Sequence, residues 1–260
     1  MVGYWVWKPY RKCGDSKTFY FVMSSLEASL EAVLGAVKSA ELRVGRVVGS
    51  VRLIAVSKAH GPEAVRELRG HGHRDFGENR VQEARAKAEL VGGGVSWHFL
   101  GHLQRNKVRV ALGMFDWIHG VDGLEIARDV DRIAGEVGCR PKVLLEVNLA
   151  GEATKFGFRP EGLEGVFETI LGLGRLDVHG LMTIPPPVPD PEMARVYFAG
   201  LRGLRDRLEA GFGVRLPELS MGMSGDFEVA IEEGATMVRV GTAIFGERRG
   251  KAWRPEGEVG

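Results

Sequence analysis

Val51-Arg52-Leu53-Ile54-Ala55-Val56-Ser57-Lys58 is a mostly apolar run around which the other predicted elements are organised. Its aliphatic and β-branched residues predict a β-strand, and the turn residues His60-Gly61-Pro62 follow it. The strand ends on a lysine. Such a lysine is either a solvated surface residue or an amine held for chemistry, since an amine shielded from water has a lowered pKa and can attack a carbonyl. Residues much later in the chain decide between these two interpretations.

This strand is the first of eight similar units. Apolar residues at helical spacing predict a helix over residues 25–39 before it, and seven further short strands alternate with helices after it. Regular alternation predicts a parallel sheet, because each parallel connection needs an intervening element. Eight units favour an α/β fold with a single (β/α)8 TIM barrel, preceded by an N-terminal helix. An open dinucleotide-binding sheet is disfavoured, because no Gly-x-Gly-x-x-Gly motif follows the first strand.

The composition is that of an ordinary globular protein. The 260 residues have a hydrophobic fraction of 44% and a formal net charge of +1, so neither nucleic acid nor a membrane surface is a predicted partner. Every apolar run is shorter than the ~20 residues that span a bilayer. Cys13 and Cys139 are far apart and lack CxxC spacing, which is typical of a protein from a reducing cytoplasm.

The two ends of the sequence differ from its middle. Residues 1–22 combine seven aromatic residues with scattered basic ones, and they lack the apolar core of a signal peptide. Met23 followed by two serines resembles a natural start, because a serine can cap the first helix. We predict an extension over residues 1–22 that is disordered or upstream of the true start, a barrel over residues 23–248 and a C-terminal tail over residues 249–260.

Polar residues at the carboxyl ends of the predicted strands are the candidate site residues, because the loops at this end carry the active sites of such barrels. Lys58 ends strand one. Ser224, between strand seven and a helix, either caps that helix or binds an anion together with the helix N–H groups. Gly241 and Thr242 follow strand eight, and phosphate sites in these barrels are frequently built from the loops after strands seven and eight.

Arg239 lies two residues before Gly241 and therefore shares its face of strand eight. An inward-facing arginine needs an acceptor, because burying it unpaired is costly. That acceptor is either a ligand or a strand carboxylate such as Glu146 or Asp177.

The histidines form no recognisable metal motif. His98 and His102 are four residues apart, but Trp97-His98-Phe99-Leu100 has the composition of a strand, where this spacing does not give the ligand pair of a helix. We expect no metal site. Neither a Gly-x-Ser-x-Gly elbow nor a Walker-type phosphate loop is present.

Seven stretches carry a resemblance to a known family, and they run in order over roughly residues 26–246. They are Ala55-Val56-Ser57-Lys58, Phe76-Gly77-Glu78-Asn79-Arg80-Val81-Gln82-Glu83, Trp97-His98-Phe99-Leu100-Gly101-His102-Leu103-Gln104-Arg105-Asn106-Lys107, Lys155-Phe156-Gly157, Gly180-Leu181-Met182-Thr183, Leu219-Ser220-Met221-Gly222-Met223-Ser224 and Val238-Arg239-Val240-Gly241-Thr242-Ala243-Ile244-Phe245-Gly246. As a set they resemble the pyridoxal 5′-phosphate homeostasis protein family, which shares its barrel with the N-terminal domain of alanine racemase.

The resemblance implies that Lys58 holds the aldehyde of pyridoxal 5′-phosphate (PLP) as a Schiff base, and that the loops after strands seven and eight bind the phosphate. Arg239 would face the pyridine nitrogen. An arginine is always charged and would not protonate that nitrogen, so the ring would stay a weak electron sink. The cofactor-binding residues that the resemblance implies are Lys58, Asn79, Met182, Ser224, Arg239, Gly241 and Thr242.

A true racemase needs a second base on the opposite face of the cofactor, which in alanine racemase-like enzymes is a tyrosine from another domain. We expect no such base here, because the sequence ends soon after strand eight and no tyrosine lies at a predicted strand end. The tyrosines are Tyr4, Tyr10, Tyr20 and Tyr197.

The resemblance therefore implies a cytoplasmic carrier or buffer of PLP in vitamin B6 homeostasis, without robust catalysis. Apo forms of PLP enzymes are its expected partners, and a monomer is the expected state. Two alternatives stay open. One is a weak amino-acid racemase that uses His98, His179 or Asp122 as its second base. The other is a Schiff-base aldolase acting on a sugar phosphate.

Overall fold

The computed structural model describes residues 25–152, 154–247 and 253–255. Eight parallel strands close into a barrel in chain order, with β8 paired to β1. The strands are β1 (Arg52–Val56), β2 (Asp75–Glu78), β3 (Ser96–Phe99), β4 (Trp117–Val121), β5 (Lys142–Glu146), β6 (Asp177–Met182), β7 (Glu218–Ser220) and β8 (Met237–Val240). The prediction of a (β/α)8 barrel is confirmed.

Helices connect the strands around the outside of this barrel. They are α1 (Ser25–Arg43), α2 (Pro62–Gly70), α3 (Val81–Val91), α4 (Val108–Leu112), α5 (Leu124–Val137), α6 (Pro160–Leu171), α7 (Arg195–Phe212), α8 (Phe227–Glu232) and α9 (Thr242–Phe245). The predicted N-terminal helix is α1, which packs against α2, α8 and α9. No helix in the described part of the chain is both long and apolar enough to cross a bilayer.

Local sequence signals explain several helix ends. Pro62 and Pro160 open α2 and α6, where the missing N–H of proline costs nothing. Gly138 and Gly213 end α5 and α7 with φ values of 73° and 64°, a left-handed conformation that glycine adopts without strain. These signals fix the lengths of the helices and therefore the loops that carry the strand ends.

Two apolar clusters form the core. The larger cluster lies between the strands and the helices and includes the fully buried Phe167 and Phe198. The smaller cluster fills the barrel and consists of Ile54, Val56, Leu100, Trp117, Leu144, Met182 and Met237. The barrel interior is thus a packed core, and any ligand must lie above it at the carboxyl ends of the strands.

Strand β1 is shorter than the predicted run: it ends at Val56, two residues before Lys58, because the chain turns at Ser57. Before α7, the residues Pro191–Ala194 form a 3-10 turn in which the Asp190 side chain accepts from the N–H of Glu192. The predicted extension over residues 1–22 lies outside the described residues, as does the predicted tail except residues 253–255, so these two domain boundaries stay predictions.

Candidate functional site

Lys58 lies at the carboxyl end of β1, in a turn in which the N–H of His60 donates to the carbonyl of Ser57 over 3.0 Å. The Lys58 side chain is exposed. The amine is therefore placed at the end of the barrel where ligands bind.

Ser57 precedes the lysine, and its N–H, hydroxyl and carbonyl groups all form hydrogen bonds. Its N–H donates to the carbonyl of Gly77, and its hydroxyl donates to Oε1 of Glu78 over 2.6 Å. Its carbonyl also accepts from Nζ of Lys87 over 2.7 Å. Lys87 and Glu78 in turn form an ion pair of 2.6 Å in which both side chains are fully buried. This network fixes the base of the Lys58 side chain to β2 and α3.

Ala59, the residue after the lysine, has a φ of 69° and is the only non-glycine residue of the described chain with a positive φ. An alanine in this conformation is strained, and such strain persists where surrounding contacts impose it. Its carbonyl accepts from the N–H of Trp253 over 3.0 Å. The turn therefore has fixed residues on both sides of Lys58.

The loops after β7 and β8 meet next to this turn. The N–H groups of Gly241 and Ala243 both donate to Oγ of Ser224 over 3.2 Å. Because β8 pairs with β1, Gly241 lies beside the end of β1. Thr242 is exposed at the start of α9. A hydroxyl and converging N–H groups are the donors that bind a phosphate. The structure thus brings together Ser224, Gly241 and Thr242 as the sequence predicted.

Arg239 points into the barrel and is only 4% exposed. It donates from Nη1 to Oγ of Ser220 over 2.7 Å and from Nη2 to the carbonyl of Thr183 over 2.8 Å. Among the described residues no carboxylate forms an ion pair with it, so the proposed pairs with Glu146 or Asp177 do not form. Burial lowers its pKa to about 10, partly offset by the charges of Glu146 and Asp226, so it stays a cation at neutral pH.

The two remaining predicted residues lie at different depths. Asn79 is exposed directly after β2, at the carboxyl end of the barrel. Met182 ends β6 and is fully buried in the small apolar cluster within the barrel. Met182 is therefore part of the floor beneath any ligand.

An acid–base group lies at the same end of the barrel, and of its members the sequence indicated only Asp122. Nδ1 of His102 lies 2.5 Å from Oδ2 of Asp122, and the imidazole stacks on the ring of Phe156 with centroids 3.9 Å apart. Glu146 lies at the end of β5. Burial, and after it the negative charge of Asp122, raises the pKa of Glu146 to about 7. The ends of β3, β4 and β5 contribute this group, so the pairing of these three neighbouring strands brings its members together.

His98 and His179, the other residues considered as a second base, do not join this group. His98 is fully buried within the barrel. His179 is hydrogen-bonded to Asp177 over 2.8 Å, near the start of β6. Within the described residues, no cluster of three or more histidine, cysteine or acidic side chains is arranged to bind a metal ion.

Comparison with known proteins agrees with this geometry. The family described as alanine racemase, N-terminal domain, matches residues 34–249. A protein from Aquifex aeolicus (strain VF5) named pyridoxal phosphate homeostasis protein is 47% identical over 221 residues, which cover 85% of this chain and 97% of that protein. This chain belongs to the pyridoxal phosphate homeostasis protein family. The family member from Escherichia coli (strain K12) is 38% identical over 235 residues and is covered over 98% of its length.

Solved structures add a ligand-bound relative. PipY of Synechococcus elongatus PCC7942, solved with PLP bound, is 44% identical to this chain and superimposes with a TM-score of 0.74, covering 81% of this chain and 99% of PipY. Alanine racemase from Clostridium difficile 630 superimposes with a TM-score of 0.66 at 18% identity, and the match covers 86% of this chain and 57% of the racemase. This second likeness shows a shared barrel fold only.

Proposed function

We propose that this chain binds PLP as a Schiff base on Lys58 and acts in vitamin B6 homeostasis as a carrier or buffer of the cofactor. One observation carries the proposal. A lysine follows β1 in a strained turn, and in the loops after β7 and the neighbouring β8 the Ser224 hydroxyl accepts from the N–H groups of Gly241 and Ala243. Membership of a family named for PLP homeostasis, and a PLP-bound relative, give the ligand its identity.

The donors of the site suit the cofactor's functional groups. A phosphate needs several donors around one anion. The Ser224 hydroxyl hydrogen would serve it, as would the N–H groups of Gly241 and Ala243 once they exchange Oγ of Ser224 for a phosphate oxygen. Arg239 presents a guanidinium that is cationic at neutral pH and suits an unprotonated pyridine nitrogen. Bound PLP supplies an aldehyde that combines reversibly with amines. The role of Lys58 is to supply that amine from a turn whose backbone is already fixed.

A carrier needs this reversibility and no further catalytic group. In the carrier role, an incoming amine from an apo PLP enzyme would displace Lys58 from the aldehyde. We infer that this transfer takes place in the cytoplasm and that the chain acts as a monomer. Tyr197, the one tyrosine in the described residues, lies in α7 and not at a strand end.

A weak amino-acid racemase is the second candidate, and the acid–base group of His102, Asp122 and Glu146 favours it. A carboxyl with a pKa of about 7 can exchange a proton near neutral pH. Incubation with amino acids in deuterium oxide separates the two candidates. The carrier leaves the substrate α-hydrogen in place, whereas a racemase exchanges it for deuterium in a manner abolished by Glu146→Gln.

Borohydride reduction tests the proposal, because it converts a Schiff base into a stable amine. After incubation with PLP and reduction, peptide mass mapping should find the cofactor on Lys58. Lys155, which follows β5 at the same end of the barrel, is the control that should remain unmodified. Modification of other lysines instead of Lys58 would contradict the proposal. Trapping of a sugar phosphate with no trapping of PLP would support the aldolase alternative.

A further inference from the structure

A chain of hydrogen bonds runs through the barrel interior and ends on Arg239. Oδ1 of Asp75 lies 3.1 Å from Nε2 of His98, and Nδ1 of His98 lies 3.0 Å from Nε2 of His119. Nδ1 of His119 then lies 2.9 Å from Oγ of Ser220, which accepts from Arg239 over 2.7 Å. The chain joins the start of β2 to the strand end where Arg239 lies, through side chains of β3, β4 and β7.

The order of donors along this chain follows from its two charged ends. The Asp75 carboxylate can only accept, so Nε2 of His98 carries a hydrogen. If His98 is neutral, its Nδ1 accepts and Nε2 of His119 is the donor to it. Nδ1 of neutral His119 then accepts the hydroxyl hydrogen of Ser220. Ser220 is left with lone pairs only, and these accept from Arg239.

This arrangement satisfies every link with both histidines neutral. The side chains of His98, His119 and Ser220 are fully buried, and an uncompensated cation is expensive there. Burial lowers the pKa of both histidines, and the charges of Arg239 and Arg52 lower that of His119 further. All donors point from the guanidinium toward the carboxylate, so each bond polarises the next in the same sense.

We infer that Ser220, His119 and His98 are positioning residues for Arg239, with both histidines neutral and protonated on Nε2. The hydrogen that Ser220 gives to His119 leaves its oxygen as a pure acceptor, which holds Nη1 of Arg239. The carbonyl of Thr183 holds Nη2. The guanidinium is thereby oriented before any ligand arrives, and its orientation toward the pyridine nitrogen rests on the proposed function.

A competing arrangement reverses the donors in the two links His98–His119 and His119–Ser220. His98 is then a cation beside Asp75, and Nδ1 of each histidine is a donor. The hydroxyl hydrogen of Ser220 has no partner among these hydrogen bonds. Ser220 would then accept from both His119 and Arg239. The two arrangements differ at Nδ1 of both histidines, which is a directly measurable property.

Nitrogen-15 NMR of the cofactor-free protein, with labelled histidine, distinguishes the two arrangements at neutral pH. The inference predicts an unprotonated Nδ1 and a protonated Nε2 for both His98 and His119, assigned with His98→Gln and His119→Gln. A protonated Nδ1 on either histidine, or a cationic His98, would overturn it. This measurement needs no PLP, so its outcome is independent of the proposed function.

Equilibrium titration with PLP then measures the positioning effect. Ser220→Ala should weaken PLP binding roughly tenfold or more, as expected when a charged donor loses its acceptor, and Ser220→Thr, which keeps the hydroxyl, should restore it. Ser39→Ala is the matched control, because it removes a serine hydroxyl on α1 that lies outside this hydrogen-bonded chain and donates to the carbonyl of Gly35. Parental affinity in a folded Ser220→Ala, together with an unchanged His119 signal, would contradict the inference. Absence of PLP binding in the parent would contradict the proposed function and leave the NMR result standing.

Discussion

Replacing Lys87 with methionine should be among the most destabilising single substitutions in the buried interface between α3 and the barrel. The Lys87–Glu78 pair is fully buried on both sides, and Nζ of Lys87 also donates to the carbonyl of Ser57. Lys87→Met leaves the Glu78 carboxylate buried without its cation, which typically costs about 3–5 kcal/mol. That is a large part of the 5–15 kcal/mol by which domains are usually stable.

Urea unfolding of three variants measures this cost. Arg85→Met is the control, because Arg85 lies on the same helix in an exposed pair with Glu89 that should contribute only about 0.3–0.5 kcal/mol. Adding Glu78→Gln to Lys87→Met removes the orphaned charge and should recover most of the loss, to within ~1–2 kcal/mol of the parent. The reasoning is refuted if Lys87→Met costs no more than Arg85→Met, or if the double variant is no more stable than Lys87→Met.

Three further outcomes follow from the structure. The pKa of Glu146 is raised to about 7 from an ordinary 4.5. The free energy of unfolding therefore has its full contribution from Glu146 below pH 4.5 and loses it as the pH rises through 7. In urea unfolding between pH 4.5 and pH 8, Glu146→Gln should remove up to ~3 kcal/mol of this decrease in the free energy of unfolding. Gly180→Ala should lower the free energy of unfolding by about 1–3 kcal/mol or more, because a Cβ there would lie 1.8 Å from the carbonyl oxygen of Glu218. Gly165→Ala on α6 is the control: its Cβ meets open space, so thermal unfolding should show a raised melting temperature. Arg239→Ala should weaken retention of PLP in dialysis while leaving Lys58 able to react with its aldehyde, and undiminished retention would show that Arg239 does not face the ring.

The sequence predicted the barrel well because its signals are local. Each strand is a short apolar run, and each helix has apolar residues at helical spacing, often with proline or glycine at its ends. The residues at strand ends could be assigned to one end of the barrel for the same reason. Ser224 and Gly241, 17 residues apart in sequence, meet because the loops after β7 and β8 are neighbours in every such barrel.

The interior contacts could not be predicted in this way. The partner of Arg239 is Ser220 rather than a carboxylate, because the stagger of β7 against β8 decides which inward-facing side chain it meets. The link from His98 to His119 depends likewise on the register of β3 against β4. Lysine is usually a surface residue, and only the structure shows that Lys87 is buried against Glu78 and Ser57.

Absorption spectroscopy of the purified protein titrated with PLP tests the proposed Schiff base on Lys58. We expect a new visible band, at longer wavelength than that of the free cofactor, in the parent and in Lys155→Ala, and no such band in Lys58→Ala. A band of equal strength in Lys58→Ala would place the cofactor on another amine. No band in any of the three proteins would contradict covalent binding altogether.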